Sequence, residues 1–161
     1  MQAEQKEFLD EHFAVKEWYG RSGSGRRIVK GLRLEGSEFK SWRLHRMKHE
    51  EREGMEALLS LWSRGDSVEE LLSVEVFECD SVKIAHDQLL EELANVQSPK
   101  VERIKEKTAP GDVAFGLANT MILFARANLA ISIRNAGPRV VPVGIVAREL
   151  DALILRRLES E

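Results

Sequence analysis

Three residues in the middle of the chain, Glu78, Cys79 and His86, are of the kinds that enzymes use for hydrolysis. A cysteine nucleophile needs a base within hydrogen-bond reach and a lowered thiol pKa, which is common at a helix N-terminus. Cys79 stands just before a segment with helical periodicity, but His86 falls in the second turn of that helix and reaches back poorly. The structural alternative makes Cys79 a small packing residue and Glu78 an acid that accepts hydrogen bonds at the end of a strand. One functional alternative is therefore a small hydrolase that uses Cys79, His86 and Glu78.

A second group of chemically active residues is basic and lies in the glycine-rich stretch 20–27. A dinucleotide-binding loop follows a strand and opens a helix, so that backbone amides meet the phosphates. This stretch instead follows a predicted helix and precedes a predicted strand. The pattern favours a flexible loop of Gly, Ser and Arg. Its arginines, Arg21, Arg26 and Arg27, remain candidates for binding an anion or a partner.

Two histidines, His45 and His49, lie four residues apart. On a helix this spacing suits a metal ion, but the metalloprotease pattern needs a glutamate directly after the first histidine, where this chain has Arg46. On a strand the two side chains would be about 13 Å apart, too far to share a metal ion. The sequence therefore predicts no metal site, and no motif points to a cofactor.

Charge is distributed unevenly along the chain, although the net charge is only −3. Residues 16–52 carry eleven Lys or Arg against five Asp or Glu, whereas residues 53–112 carry six against fourteen. The basic segment 16–52 also contains aromatic residues, the combination that grips phosphates and stacks on bases. Nucleic-acid binding is therefore one alternative, but the overall acidity argues against it. The other interpretation is that the two regions neutralise one another across the fold.

Length and composition are those of one globular domain covering residues 1–161, because 43% of the residues are hydrophobic and 32% are charged. No apolar run approaches the roughly 20 residues that cross a bilayer. The first residues do not resemble a signal peptide. The expected location is therefore cytoplasmic, or else an exported protein whose targeting segment is absent from this chain. A single cysteine excludes an intramolecular disulfide.

The elements that must position these residues include a strand followed directly by a helix, which a change in the spacing of apolar residues indicates. Leu72, Val74 and Val76 alternate with other residues as in a half-buried strand, and the apolar positions from Val82 onward have helical spacing. Between them, Ser81 is a suitable N-cap. Elsewhere the patterns predict helices at 2–18 and 143–158, strands at 28–35, 39–48, 120–126 and 129–134, and, at 53–63, a strand in preference to a helix.

Together these elements predict an α+β fold: an antiparallel sheet of six to seven strands, with two amphipathic helices on one face and an N-terminal helix. Residues 1–27 hold that helix and the loop, and 28–99 and 111–161 form two β–α units that resemble an internal duplication of β–β–α repeats. The leading function is a non-catalytic binding, sensor or accessory domain. It would engage a protein or small-molecule ligand on the uncovered sheet face or through the loop at 20–27. An exposed sheet edge would also allow a homodimer.

Overall fold

A computed structural model describes residues 2–20, 28–66, 68–96, 98–117 and 119–160. Within these ranges there are seven strands in one antiparallel sheet, three α-helices and a short 3₁₀ helix at Val15–Glu17. The predicted α+β fold with an antiparallel sheet and an N-terminal helix is confirmed. The strands are β1 (Trp42–Arg52), β2 (Met55–Arg64), β3 (Leu71–Cys79), β4 (Glu102–Arg103), β5 (Val113–Leu117), β6 (Met121–Arg126) and β7 (Leu129–Asn135), and the helices are α1 (Ala3–His12), α2 (Val82–Val96) and α3 (Gly144–Ser160).

The order of strands across the sheet is β1-β2-β3-β7-β6-β5-β4. Two meanders, β1 to β3 and β5 to β7, therefore join where β3 pairs with β7. One edge of the sheet is β4, which has two residues, and the other is β1, which has eleven. The sheet thus has one short edge and one long edge.

The predicted passage from β3 into α2 is confirmed. Ser81 caps the helix, because its Oγ accepts a hydrogen bond from the Ile84 N–H at 3.1 Å. The strands predicted at 120–126 and 129–134 form β6 and β7, and the tight turn between them has its left-handed backbone at Ala127 (φ 53°), although asparagine adopts this conformation more readily than alanine. Asn128 is buried and its amide makes tertiary hydrogen bonds instead.

The two long helices pack on opposite faces of the sheet, so their predicted placement on one face is wrong. The face of β3 that carries Val74 and Val76 packs against α3. The face that carries Phe77 and Cys79 packs against α2. The physical reason is that the central strands are apolar on both sides: the first five residues of β7 are all buried. A sheet with two apolar faces needs a cover on each.

Residues 28–41 do not form the strand that was predicted at 28–35, and the strand predicted at 39–48 begins only at Trp42. They form an irregular segment, which includes positive φ angles at Gly31 and Gly36. The segment lies on the same face of the sheet as α3 and buries four apolar side chains there. We call it the strap; these side chains are Val29, Leu32, Leu34 and Phe39.

Residues 55–64 form a strand, as predicted, and the Gly65 turn (φ 68°) connects it to β3. Strands β4 and β5 were not predicted. Each half of the chain thus places three strands before a long helix, β1 to β3 before α2 and β5 to β7 before α3. The helices cover opposite faces, so an internal duplication stays a prediction.

Candidate functional site

A broad groove lies on the α2 side of the sheet, over strands β1, β2 and β3. Its volume is about 520 Å³, which is in the range of ligand-binding clefts. We call this surface the open face. The residues that line it are Arg46, Lys48, Leu59, Ser60, Leu61, Ser73 and Glu75.

The open face exists because α2 covers only part of its side of the sheet. Helix α2 packs mainly on β3, β6 and β7, and it approaches the outer strands only near their turn, where Ile84 lies beside Gly54. On the other side, the strap covers the same strands, and Phe39 stacks edge-on against Trp62 with ring centroids 4.5 Å apart. The two faces of β2 therefore differ: Leu58 and Trp62 are buried, whereas Leu59 and Leu61 are half-buried.

Strand pairing sets the layout of the open face. Leu61 is directly opposite Arg46 on one side and Ser73 on the other, and Leu59 is directly opposite Lys48 and Glu75. Because directly opposite residues share a face of the sheet, each leucine lies between two polar side chains. The result is an apolar floor with a basic row along β1.

A β-bulge in β1 produces this basic row. The pairing of β1 with β2 shifts between Leu44 and Arg46, so His45 has no direct partner. Beyond the shift, Arg46, Lys48, Glu50 and Arg52 all fall on the open-face side, because they pair with residues of β2 that face α2. Without the bulge, these charges would point towards the strap.

Glu50 is tied to the basic groups beside it. The Lys48 ammonium lies 2.7 Å from the Glu50 carboxylate, and the Arg52 guanidinium lies 2.8 Å from it. Hydrogen bonds from Lys48 and Arg52 lower the pKa of Glu50 to about 2. The carboxylate therefore stays ionised at any ordinary pH and neutralises part of the row.

A second set of charges borders the open face on its inner side. The Arg134 guanidinium of β7 lies 3.0 Å from the Glu92 carboxylate of α2. Burial and the nearby Glu75 raise the pKa of Glu92, although Arg134 opposes that shift. This border is thus close to neutral, whereas Arg43, Arg46 and Lys48 make the outer border basic.

The sheet separates the predicted hydrolase residues. Glu78 faces the strap, where its Oε1 accepts a hydrogen bond from the Leu32 N–H at 2.9 Å. Cys79, the next residue, faces the α2 side, and so does His86. Neighbouring residues of a strand point to opposite faces, so Glu78 and Cys79 do not share a reactive centre.

Cys79 and His86 are both buried in apolar surroundings. Burial, together with the nearby Asp80 and Glu78, raises the pKa of the Cys79 thiol to about 12, and its Sγ lies 3.6 Å from the Phe77 carbonyl oxygen. The His86 ring is fully buried and edge-on to the Trp18 indole, with ring centroids 5.3 Å apart. A thiol with so high a pKa has almost no thiolate at neutral pH, and the thiolate is the nucleophile.

Glu78 instead helps to hold the strap through its hydrogen bond to Leu32, and Asn128 makes further hydrogen bonds to the strap. The Val29 N–H donates to Asn128 Oδ1 at 2.7 Å, and Asn128 Nδ2 donates to the carbonyl oxygens of Val29 and Cys79, both at 2.8 Å. A cleft of about 240 Å³ lies beside these contacts, and Lys30, Arg33, Glu56 and Glu78 are among its lining residues. Asp80 also lines the cleft, so three acidic residues face two basic ones there.

The other residues singled out from the sequence do not converge on a site. Arg21, Arg26 and Arg27 lie outside the described residues. His49 contacts Glu56, with Nε2 and Oε2 3.1 Å apart, whereas His45 is exposed at the bulge. In the described part of the chain, no three His, Cys, Asp or Glu side chains are grouped to hold a metal ion. Trp18 and Phe39, from the basic segment, are buried in the core.

One ionic cluster was not predicted. The Arg126 guanidinium makes two hydrogen bonds to the Asp151 carboxylate of α3, at 2.9 and 2.8 Å, and a third to Asp112 at 3.2 Å. Asp112 also accepts from the Ala127 N–H at 2.8 Å. The cluster fastens α3 to the β6–β7 turn. The three residues are distant in sequence, so local spacing carries no signal for it.

The chain gave no match when it was compared with models of known protein families, with curated proteins and with solved structures. Among the helices described, none combines the length and the apolar character needed to cross a membrane.

Proposed function

We propose that this chain is a non-catalytic protein-binding domain, which binds an extended segment of a partner protein on the open face. The observation that carries the proposal is the pair of half-buried leucines, Leu59 and Leu61, between a basic row and a neutral border. Apolar side chains surrounded by polar ones are typical of recognition surfaces.

The charges indicate the chemistry of the partner. Arg43, Arg46 and Lys48 are exposed along the outer border. Asp66 pairs with Arg43 at 3.2 Å and Glu50 pairs with Lys48 at 2.7 Å, so acidic groups neutralise part of this row. A segment that places acidic side chains along β1 and apolar side chains over the leucines would match both features. We therefore propose an acidic, partly apolar segment as the occupant.

The geometry supports binding more than catalysis. The residues that line the open face are basic, apolar or hydroxyl-bearing, with Glu75 as the acid, and they include neither cysteine nor histidine. The residues of the hydrolase alternative lie elsewhere, and the high pKa of the Cys79 thiol counts against a nucleophilic role.

The test uses a labelled peptide that alternates leucine with glutamate, and a second peptide with lysine in place of glutamate, measured by fluorescence anisotropy. We expect the acidic peptide to bind and the basic one to bind at least about tenfold more weakly. Leu61→Ser should weaken the acidic peptide about fivefold to tenfold, because about 1 kcal/mol of apolar contact is lost.

The matched control is Ile145→Ser, which removes an apolar side chain that is 60% exposed on α3. This variant should bind the acidic peptide like the unaltered protein. Equal binding of both peptides, or no difference between Leu61→Ser and the control, would contradict the proposal.

A further inference from the structure

The long edge strand β1 is open to a new partner. Among the described residues it pairs with β2 alone, and its other edge has no neighbouring strand. An edge of eleven residues presents a row of backbone donors and acceptors that can extend a sheet. Natural proteins commonly guard such edges with charged side chains, especially lysine.

The charges of β1 do not have one sign. Its first part is basic, with Arg43, Arg46 and Lys48, and its later part contains Glu50 and Glu51, followed by Arg52. When a strand with this pattern pairs antiparallel with a copy of itself, the basic part of each copy lies beside the acidic part of the other. The pattern therefore favours self-association over the repulsion that a uniformly basic edge would give.

We propose that β1 is a homodimer interface, at which two copies pair antiparallel about a two-fold axis through Lys48. In this register, Arg46 lies directly opposite Glu50 of the second copy, twice by symmetry. Both residues face the open-face side in the monomer, as directly opposite residues must. Met47 lies opposite His49 of the second copy on the other side.

The axis brings the two Lys48 ammonium groups together, which by itself is unfavourable. Each Lys48 is, however, already bound to its own Glu50 at 2.7 Å. That carboxylate, which Arg52 of its own copy also contacts at 2.8 Å, then lies beside Arg46 of the other copy as well. The dimer joins the two sheets into one and places the two open faces side by side.

The test is analytical ultracentrifugation of the full chain without any peptide, over a wide range of protein concentration. The unaltered protein should dimerise. Arg46→Glu alone, or Glu50→Arg alone, places like charges opposite each other twice and should weaken dimerisation about thirtyfold. An equimolar mixture of these two variants should form a heterodimer, because both glutamates of the first variant, at positions 46 and 50, then face arginines of the second.

The double variant Arg46→Glu with Glu50→Arg in one chain should also dimerise, because position 46 of each copy still faces the opposite charge at position 50 of the other. Far-UV circular dichroism and thermal melts show whether each variant is folded. A protein that stays monomeric at all concentrations overturns the proposal. So does a dimer that persists in either single variant, or a mixture that does not associate. None of these outcomes depends on peptide binding, and Leu61→Ser should leave the dimer unchanged, so the two proposals fail separately.

Discussion

The cluster of Arg126, Asp151 and Asp112 gives the most direct test of how α3 is held on the sheet. The Arg126 side chain is 18% exposed, and those of Asp112 and Asp151 are 2% and 10% exposed. Breaking a fully buried ion pair costs about 3 to 5 kcal/mol, because a charge is left without its partner. Asp112 still contacts Arg126 when Asp151 is replaced, so we expect Asp151→Asn to lower the free energy of unfolding by about 2 to 3 kcal/mol.

Replacing the arginine should cost more. Arg126→Met keeps most of the side-chain length but leaves two poorly exposed carboxylates facing each other, so we expect a loss of about 3 to 5 kcal/mol. The double variant Arg126→Met with Asp151→Asn should lose less than the sum of the single variants, by about 1 to 2 kcal/mol, because the two residues form one interaction.

Urea-induced unfolding at neutral pH measures these free energies, provided that the slope with denaturant is the same for all variants. The matched control is Asp66→Asn, which removes the carboxylate of an exposed pair with Arg43 at a similar distance, 3.2 Å. Exposed pairs contribute about 0 to 1 kcal/mol. If Asp151→Asn proved no more destabilising than Asp66→Asn, the inference that this cluster fastens α3 would be refuted.

Three further perturbations test other parts of the fold. Asn128→Ala removes three buried hydrogen bonds, two of which hold the strap, and should lower the free energy of unfolding by about 2 to 4 kcal/mol in the same urea assay. The Cys79 thiol should not react with a thiol-specific chromogenic reagent at pH 8 in the folded protein and should react fully in urea; rapid reaction of the folded protein would contradict its burial. Because the pKa of the Cys79 thiol is raised in the folded protein, the free energy of unfolding should be constant below the unfolded thiol pKa of about 8.5. Above that pH it should fall by at most about 1.4 kcal/mol per pH unit, because only the unfolded chain ionises. Cys79→Ala should remove this fall. Gly137→Ala should destabilise the protein strongly because the added Cβ would lie 2.9 Å from the Leu71 backbone nitrogen and would overlap the Glu69 carbonyl oxygen, whereas at Gly65 there is no atom within 4 Å and only backbone strain of about 1 kcal/mol applies.

The elements that could be predicted from the sequence are those whose stabilising contacts are local. The alternation of Leu72, Val74 and Val76 and the helical spacing after Ser81 are each set by neighbours in sequence, and both elements form as predicted. The hydrophobic face of a strand or a helix is visible in its period alone. Which face of the sheet each helix covers depends on the other strands, and the available signal was the run of successive apolar residues in β7, which only Ser132 interrupts before Arg134.

The strap could not be predicted because long-range contacts determine its structure. Leu32 and Leu34 alternate with polar residues as in a strand, but the Val29 amide pairs with Asn128, 99 residues away in sequence. The glycine at position 31 supplies a left-handed backbone (φ 73°) that interrupts strand geometry. Local periodicity does not distinguish this segment from a strand.

The candidate site was not predicted: both helices were expected on one face, which would have left the other face uncovered, whereas the open face is the part of the α2 side that the helix leaves exposed. Its residues were not identified, because a bulge near His45 sets which side chains of β1 reach it. Single-residue shifts of this kind move every following side chain to the other face. Residue types alone made Cys79 a candidate nucleophile, but its burial and the raised pKa of its thiol, which depend on tertiary contacts, lead us to expect an unreactive thiol.

The placement of α2 and α3 on opposite sides makes the sheet a partition between two apolar layers. The layer under α3 contains Trp62 and Leu150, and the layer under α2 contains Phe77 and Leu89. Residues in different layers belong to separate clusters of packed side chains, so we expect the effects on stability of one substitution in each layer to be additive. Each layer can therefore accumulate substitutions independently, and the chain can tolerate sequence drift on one side while the other keeps its shape.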